Sequence, residues 1–236
     1  MTWYREWFGE EYLDLYSYRD EEEARRQVAF FEERFGPISG VSLDLACGTG
    51  RHIQELVAKN YRFVGSDLSY VLLRSGLREY GGMDVVRADM RDMPFRDGSF
   101  AALVNFFTSF GYFSEEEDNL RVVREMSRVL RRGAPFLFDY MNVSREIKML
   151  VPREVRETES GQAHIQRWFD PAERSINKRI SIGGKSFLER VRAYDLDEIS
   201  VMFASSRFSI SDIFGDFDGN PYSDDSRRLI VVGKKL

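Results

Sequence analysis

Apolar positions at Ala24, Val28, Phe31 and Phe35 form one stripe of an amphipathic helix, which Gly36-Pro37 stops. Asp20 with Glu23 reads as a capping box at its start. The apolar run Val41–Ala46 then leads through a glycine-containing turn into a helix with Ile53, Leu56 and Val57 on one face. Arg62–Leu68 reads as a second strand, Val71–Glu79 as a helix, Met83–Asp89 as a third strand and Phe100–Phe107 as a long apolar fourth. Ser114 with Glu117 predicts a capped helix ending at Arg131-Arg132-Gly133, and Ala134–Tyr140 a fifth strand. Short, almost wholly apolar strands alternating with helices predict an α/β fold, a parallel sheet covered on both faces.

The rhythm changes after Tyr140. From Glu154 to Tyr194 apolar and polar residues alternate, as at Ile176, Ile180 and Ile182, punctuated by Asp170-Pro171 and Gly183-Gly184. This predicts an antiparallel insertion of two to four strands. Helical spacing resumes at Asp195, where Asp195 and Glu198 form another box and Leu196, Ile199, Met202 and Phe203 share a face. Two last strands are expected around Phe208–Phe217 and Arg228–Lys234.

Composition narrows the chemistry. The chain has 236 residues, with 34 Lys+Arg against 39 Asp+Glu and a formal net charge of −5. This length suits one large domain, or a domain with an insertion, and can bury a full core without staples. The single Cys47 excludes a disulfide framework and a four-thiolate zinc site, and suits a reducing cytoplasm. His52 and His164 are not spaced as a ligand pair, so no metal site is expected. The first residues carry acids where a signal peptide needs basic and then apolar residues. The longest uncharged stretch, Gly98 to Ser114, is broken by glycines, serines and Asn105, so no membrane span is expected. An acidic balance also argues against nucleic acid as a partner.

The informative segment is LDLACGTGR, Leu43 to Arg51, between a strand and a helix. Gly48 and Gly50 allow a sharp turn and a close approach of ligand to backbone. In an open α/β sheet this first strand-to-helix turn is where the ligand sits. Asp67, ending the second strand, stands where a carboxylate can accept both hydrogen bonds of a ribose diol. A nicotinamide dinucleotide fits poorly. Ile53 occupies the position where that fingerprint needs glycine or alanine, and Asp44 would repel a pyrophosphate. Asp44 suits an ammonium or a sulfonium. Asp89 by itself reads as a turn residue or cap as readily as a ligand-binding carboxylate.

With GSDLS at the second strand, RADMRDMPF after the third and LVNFFTSFGYF at the fourth, the chain resembles class I S-adenosylmethionine-dependent methyltransferases from about Val41 to Asn142. The resemblance implies a doubly wound, seven-stranded, mostly parallel sheet of Rossmann-like type, ending in an antiparallel strand at Leu229–Gly233. It implies S-adenosyl-L-methionine as cofactor and S-adenosyl-L-homocysteine as product. Gly48 and Gly50, with Asp44 and Ala46 in the same motif, would lie along the methionine part. Asp67 would hold the ribose with Leu68 nearby, Asp89 and Met90 would frame the adenine, and Asn105 and Phe106 would lie beside the sulfonium. The expected organisation is residues 1–153 as N-terminal helices and cofactor-binding core, 154–194 as an antiparallel lid or dimerisation insert, and 195–236 completing the sheet.

The expected activity is methyl transfer to nitrogen or oxygen of a small molecule. The alternatives are a non-catalytic cofactor-binding regulator and an enzyme acting on RNA or protein. Related small-molecule enzymes close the cofactor pocket with an N-terminal helix bearing Tyr and Arg, here among Tyr4, Tyr12, Tyr16, Tyr18 and Arg19. Similar inserts cover the site or pair subunits, and a homodimer through 154–194 is expected. No catalytic residue is assigned; His164, Tyr12, Tyr16 and Tyr112 are candidates for a base. His52 reads as structural, and Trp168 and Phe169 as packing. Asp216, Asp218, Tyr222 and Asp225 lie in a turn-rich segment that could meet an acceptor or form a solvated loop.

Overall fold

The computed structural model describes residues 2–17 and 21–236. Two short helices, α1 (Trp3–Trp7) and α2 (Glu10–Leu15), precede α3 (Glu21–Phe35). The alternating region follows as β1 (Val41–Leu45), α4 (Arg51–Ala58), β2 (Arg62–Asp67), α5 (Tyr70–Glu79), β3 (Asp84–Arg87), β4 (Leu103–Asn105), α6 (Glu116–Val129) and β5 (Pro135–Met141). A short α7 (Val143–Lys148), which the apolar pattern does not announce, leads to β6 (Arg153–Thr158), β7 (Gly161–Asp170), β8 (Ser175–Ile182) and β9 (Lys185–Arg192). The chain closes with α8 (Leu196–Ser205), β10 (Phe208–Phe214) and β11 (Arg228–Lys235).

The main sheet has seven strands in the order β10-β11-β5-β4-β1-β2-β3, and only β11 runs against its neighbours. This is the doubly wound α/β sheet expected, ending in an antiparallel strand. The chain runs outward from β1 to β3 and then returns to place β4 beside β1, which opens a crevice at the strand ends there. Alternation on the pleat builds both layers of core from one strand. Phe136, Phe138 and Tyr140 of β5 face one apolar cluster with Phe203 and Phe208, while Leu137 faces the other with Phe31 and Ile53.

Two boundaries differ from the pattern. The fourth strand is only Leu103–Asn105, because Phe107 and Thr108 take left-handed backbone at φ 65 and 56. The Asp139 carboxylate draws the chain away there, accepting the Phe107 N–H at 2.7 Å. The Ser114–Glu117 box does not form. α6 begins at Glu116 without a side-chain cap, and Asn119 secures the incoming loop by donating to the Phe113 carbonyl at 2.9 Å. The Asp195–Glu198 box does form, whereas Asp20 of the first box, with Tyr18 and Arg19, lies outside the described residues.

The β6–β9 strands form a separate four-stranded antiparallel meander. Gly183 and Gly184, at φ 55 and 74, supply the left-handed pair that a tight β8–β9 hairpin needs. Its inner face carries Ala163, Ile165, Ile180 and Ile182, which pack against Trp7 of α1 and Leu15 of α2. A half-apolar sheet must cover one face, and here the N-terminal helices cover it.

Candidate active site

The ends of β1, β2 and β3, the N-terminal helices and the inner face of the meander together enclose a cavity of about 550 Å³. Its core wall starts at the glycine turn. Ala46, Gly48 and Gly50 all take left-handed backbone, at φ 57, 58 and 81. For Ala46 that conformation is strained, as backbone at ligand-binding turns often is. At Gly48 an added Cβ would meet no protein atom closer than Leu72 Cδ1 at 3.9 Å, so within the chain it is the backbone angle that demands glycine. Crowding acts elsewhere. A Cβ on Gly76 would overlap the Thr49 carbonyl, so this mid-helix glycine seats α5 against the turn. Gly65 makes room on β2 for Ile53 and Cys47, which explains how Ile53 is accommodated.

Asp67 braces the turn, accepting the Gly48 N–H at 2.9 Å and the Ser69 N–H at 2.8 Å on different oxygens. Each oxygen keeps a further accepting lone pair, and the residue lines the cavity. Burial raises its carboxyl pKa against the opposing pull of the Ser69, Gly48 and Leu68 N–H groups. Asp44 is buried more completely, and its Oδ2 has no partner among the described residues; nor has the neighbouring Ser66 hydroxyl. Burial, and then the nearby Asp67, push the Asp44 carboxyl well above the usual range, with Arg51 pulling the other way. An unpaired buried carboxylate is costly, and a ligand cation would relieve it. This orphaned oxygen fits a cofactor that carries an ammonium and a sulfonium.

Asp89 is held by Arg91, whose Nε reaches Oδ1 at 3.0 Å and whose Nη2 reaches Oδ2 at 2.7 Å. Burial works to raise its pKa, but the Arg91 side-chain and backbone bonds prevail and keep the carboxyl below its usual range. Asp89 therefore stays ionised, and Met90 and Leu68 line the same wall. Phe106 also lines it and stacks on His52, with ring centroids 4.3 Å apart at 22°. His52 is bonded to Gln27 at 2.5 Å, and burial, then Arg51, push its pKa well down, so the ring is neutral.

Gly50 and Asn105 are not among the residues lining the cavity. Gly50 caps α4 with a Cβ direction filled by Met83, and buried Asn105 donates to the Leu45 carbonyl at 2.7 Å, tying β4 to β1. Tyr12, Tyr16 and Tyr112 do line it. The Tyr112 hydroxyl donates to the Thr108 carbonyl at 2.9 Å, and the Tyr16 hydroxyl accepts from Lys178. His164 is exposed on the outward face of β7 and lies away from the cavity. Trp168, on that same face, lies under Arg179, and Phe169 is not at the cavity wall either. In the turn-rich segment the carboxylates take the solvated reading, while Tyr222 packs against the core. Asp216 accepts from Asn220, Asp218 pairs with Arg26, Tyr222 donates to Asn142 and Asp225 pairs with Lys148.

Several wall residues escaped the sequence reading. Gly76 had a signal, an isolated glycine inside a helical pattern. Arg91, two residues from Asp89, had a weaker one. Arg167, Lys178 and Glu189 had none, because their meeting depends on strand register.

A family profile described as "Methyltransferase domain" matches residues 43–133, which span the glycine turn, Asp67, Asp89 and β4. A putative methyltransferase of Bacillus subtilis, YqeM, is 24% identical over 84% of this chain and 85% of its own length. An S-adenosylmethionine-dependent methyltransferase from Clostridium acetobutylicum has the same fold, with TM-score 0.79 and 18% identity over 95% of this chain and 96% of that one. The sugar N-methyltransferase KedS8 from a Streptoalloteichus species superposes with TM-score 0.69 and 21% identity over 96% of this chain and 93% of that one. With those matches, residues 43–133 are similar to a methyltransferase domain and the whole chain has the fold of S-adenosylmethionine-dependent methyltransferases.

Proposed function

We propose that this methyltransferase modifies a nitrogen or oxygen of a small molecule held between the core and the antiparallel meander. The observation that carries the reading is the cavity itself. Its volume of about 550 Å³ is closed over by Tyr4, Phe8, Tyr12 and Tyr16 from the N-terminal helices and by side chains of β7–β9. That space suits a cofactor with a small acceptor better than a folded RNA or protein surface. Likeness to a sugar N-methyltransferase supports a small polar acceptor.

In this reading Asp44, Ala46, Gly48, Asp67, Leu68, Asp89, Met90 and Phe106 hold the cofactor, while Gly50 and Asn105 shape the wall from behind. Bound S-adenosylmethionine supplies a methyl group already activated by its sulfonium. The protein's work is then alignment, with reacting atoms about 3–3.5 Å apart, and exclusion of water. The aromatic residues of α1 and α2 dry the site. An amine or hydroxyl acceptor must also lose a proton, and Tyr12, Tyr16 and Tyr112 are the phenols within the cavity that could relay it.

The reading extends to organisation. Residues 1–153 and 195–236 form the cofactor-binding core, and 154–194 the acceptor cover. The unpaired β6 edge, beside exposed Met149, Val151 and Val155, suits pairing with a second copy. No helix among the described residues is long and apolar enough to cross a membrane, in keeping with a cytoplasmic enzyme. The test is S-adenosylhomocysteine formation with panels of small amines and alcohols, peptides and RNA. Turnover with a small molecule is expected; turnover confined to peptides or RNA would overturn the reading.

A further inference from the structure

Between their hairpin ends, the inner faces of β7, β8 and β9 are apolar except for one row, and β6 adds Glu154 and Arg156 to that face. Strand register places Arg167 opposite Lys178, and Lys178 opposite Glu189. On one side of that row Ile165, Ile180 and Phe187 pack under the N-terminal helices; on the other, Ile176 and Val191 pack toward the core. The charged row lies where the sheet stops covering helices and becomes cavity wall. The side chains of Arg167 and Lys178 are only 19% and 13% exposed. Desolvating two cations in an apolar face is costly, and aliphatic residues would have packed as well.

Their partners are shared. Glu154 reaches Arg167 at 2.7 Å but also serves Arg156. Glu189 lies 3.3 Å from Lys178 and accepts the Trp7 indole N–H at 3.1 Å. A guanidinium fork beside an ammonium is the donor set that recognises a carboxylate or a phosphate. Across the cavity, Asp67 and Asp89 would repel such a group, and the arginines there, Arg51 and Arg228, are paired with Glu23 and Asp139. A cationic handle fits less well, because Glu189 is already engaged by Lys178 and Trp7.

We propose that Arg167 and Lys178 form a subsite for an anionic group, carboxylate or phosphate, carried by the methyl acceptor. This rests on the small-molecule reading above. Glu189 and the Tyr16 hydroxyl hold Lys178 in place while the subsite is empty, and Glu189 competes with the incoming anion.

The test is calorimetric titration of the protein loaded with S-adenosylhomocysteine, using inorganic phosphate, acetate and, as a cationic control, tetramethylammonium. At least one anion should bind, and the cation should not. Arg167→Gln should weaken the anion about tenfold or more. So should the double variant Lys178→Met with Glu189→Gln, which leaves no lone carboxylate behind. Glu189→Gln alone should tighten it. Affinity for S-adenosylhomocysteine should match wild type in all three, which separates loss of the subsite from loss of fold. Preference for phosphate or for acetate tells which anion the acceptor carries. No anion binding, binding unmoved by the variants, or weakening by Glu189→Gln would overturn the subsite. If neutral small molecules are methylated and no anion binds, the subsite falls and the small-molecule reading stands. If anions bind as expected while only peptides or RNA are methylated, the small-molecule acceptor falls and, with it, the acceptor subsite.

Discussion

The two walls of the cavity are built on opposite principles. On the core wall, main-chain geometry makes the site: three alternate left-handed positions at Ala46, Gly48 and Gly50, with Asp67 fastened to two backbone N–H groups. On the meander wall, side chains make it, as a charged row in an apolar sheet face. A wall made of backbone tolerates little change, because every residue at the turn fixes its neighbours. A wall made of side chains on a regular sheet can be rewritten without disturbing the register. One half of the cavity is thus suited to a constant ligand and the other to a variable one.

The largest expected effect strikes the backbone wall. Gly76→Val forces a branched side chain into the Thr49 carbonyl, and overpacking typically costs about 1–3 kcal/mol. Cofactor binding should be lost, with a lower melting temperature; a variant that binds normally would show that α5 does not seat the turn.

The next effect has two signs. Asp44→Asn removes a buried, unpartnered charge, so the cofactor-free protein should melt higher while S-adenosylmethionine binds more weakly. The same residue predicts a pH dependence. Its pKa is raised in the folded state, so its contribution to the stability of the cofactor-free protein is full below the unfolded carboxylate pKa. That contribution is lost as pH rises through the raised folded value. Cofactor binding should strengthen over that window and release protons, measurable by calorimetry in buffers of different ionisation enthalpy. Asp44→Asn should flatten both trends, and unchanged proton release would sink the assignment.

The smallest effect lies outside both walls. Asp218→Asn breaks an exposed pair with Arg26, worth about 0–1 kcal/mol in such settings. Cofactor affinity and turnover should stay at wild-type values; a clear loss of turnover would bring the turn-rich segment back toward the acceptor.

The same contrast explains what the sequence could tell. Local signals fix the glycine turn, the acid at the end of β2 and the alternation of strands and helices, because each depends on residues close in the chain. The short β4 was hidden because Asp139, a strand away, pulls the Phe107 N–H out of the sheet. The absence of a cap on α6 was hidden because Asn119 does that work from inside the helix. His164 looked plausible as a base until register put it on the outward face of β7. Arg167, Lys178 and Glu189 are far enough apart in sequence that only strand pairing brings them into one row.

The central claim is that the core wall holds the cofactor and the meander wall does not. Titration of S-adenosylmethionine into the Asp67→Asn protein and into the double variant Lys178→Met with Glu189→Gln tests it most directly. Asp67→Asn should lose affinity by the scale of a hydrogen bond to a charged group, about 1.5–3 kcal/mol, while the meander variant binds as wild type does. Undiminished affinity in a folded Asp67→Asn protein, or an equal loss in both, would contradict the division between the two walls.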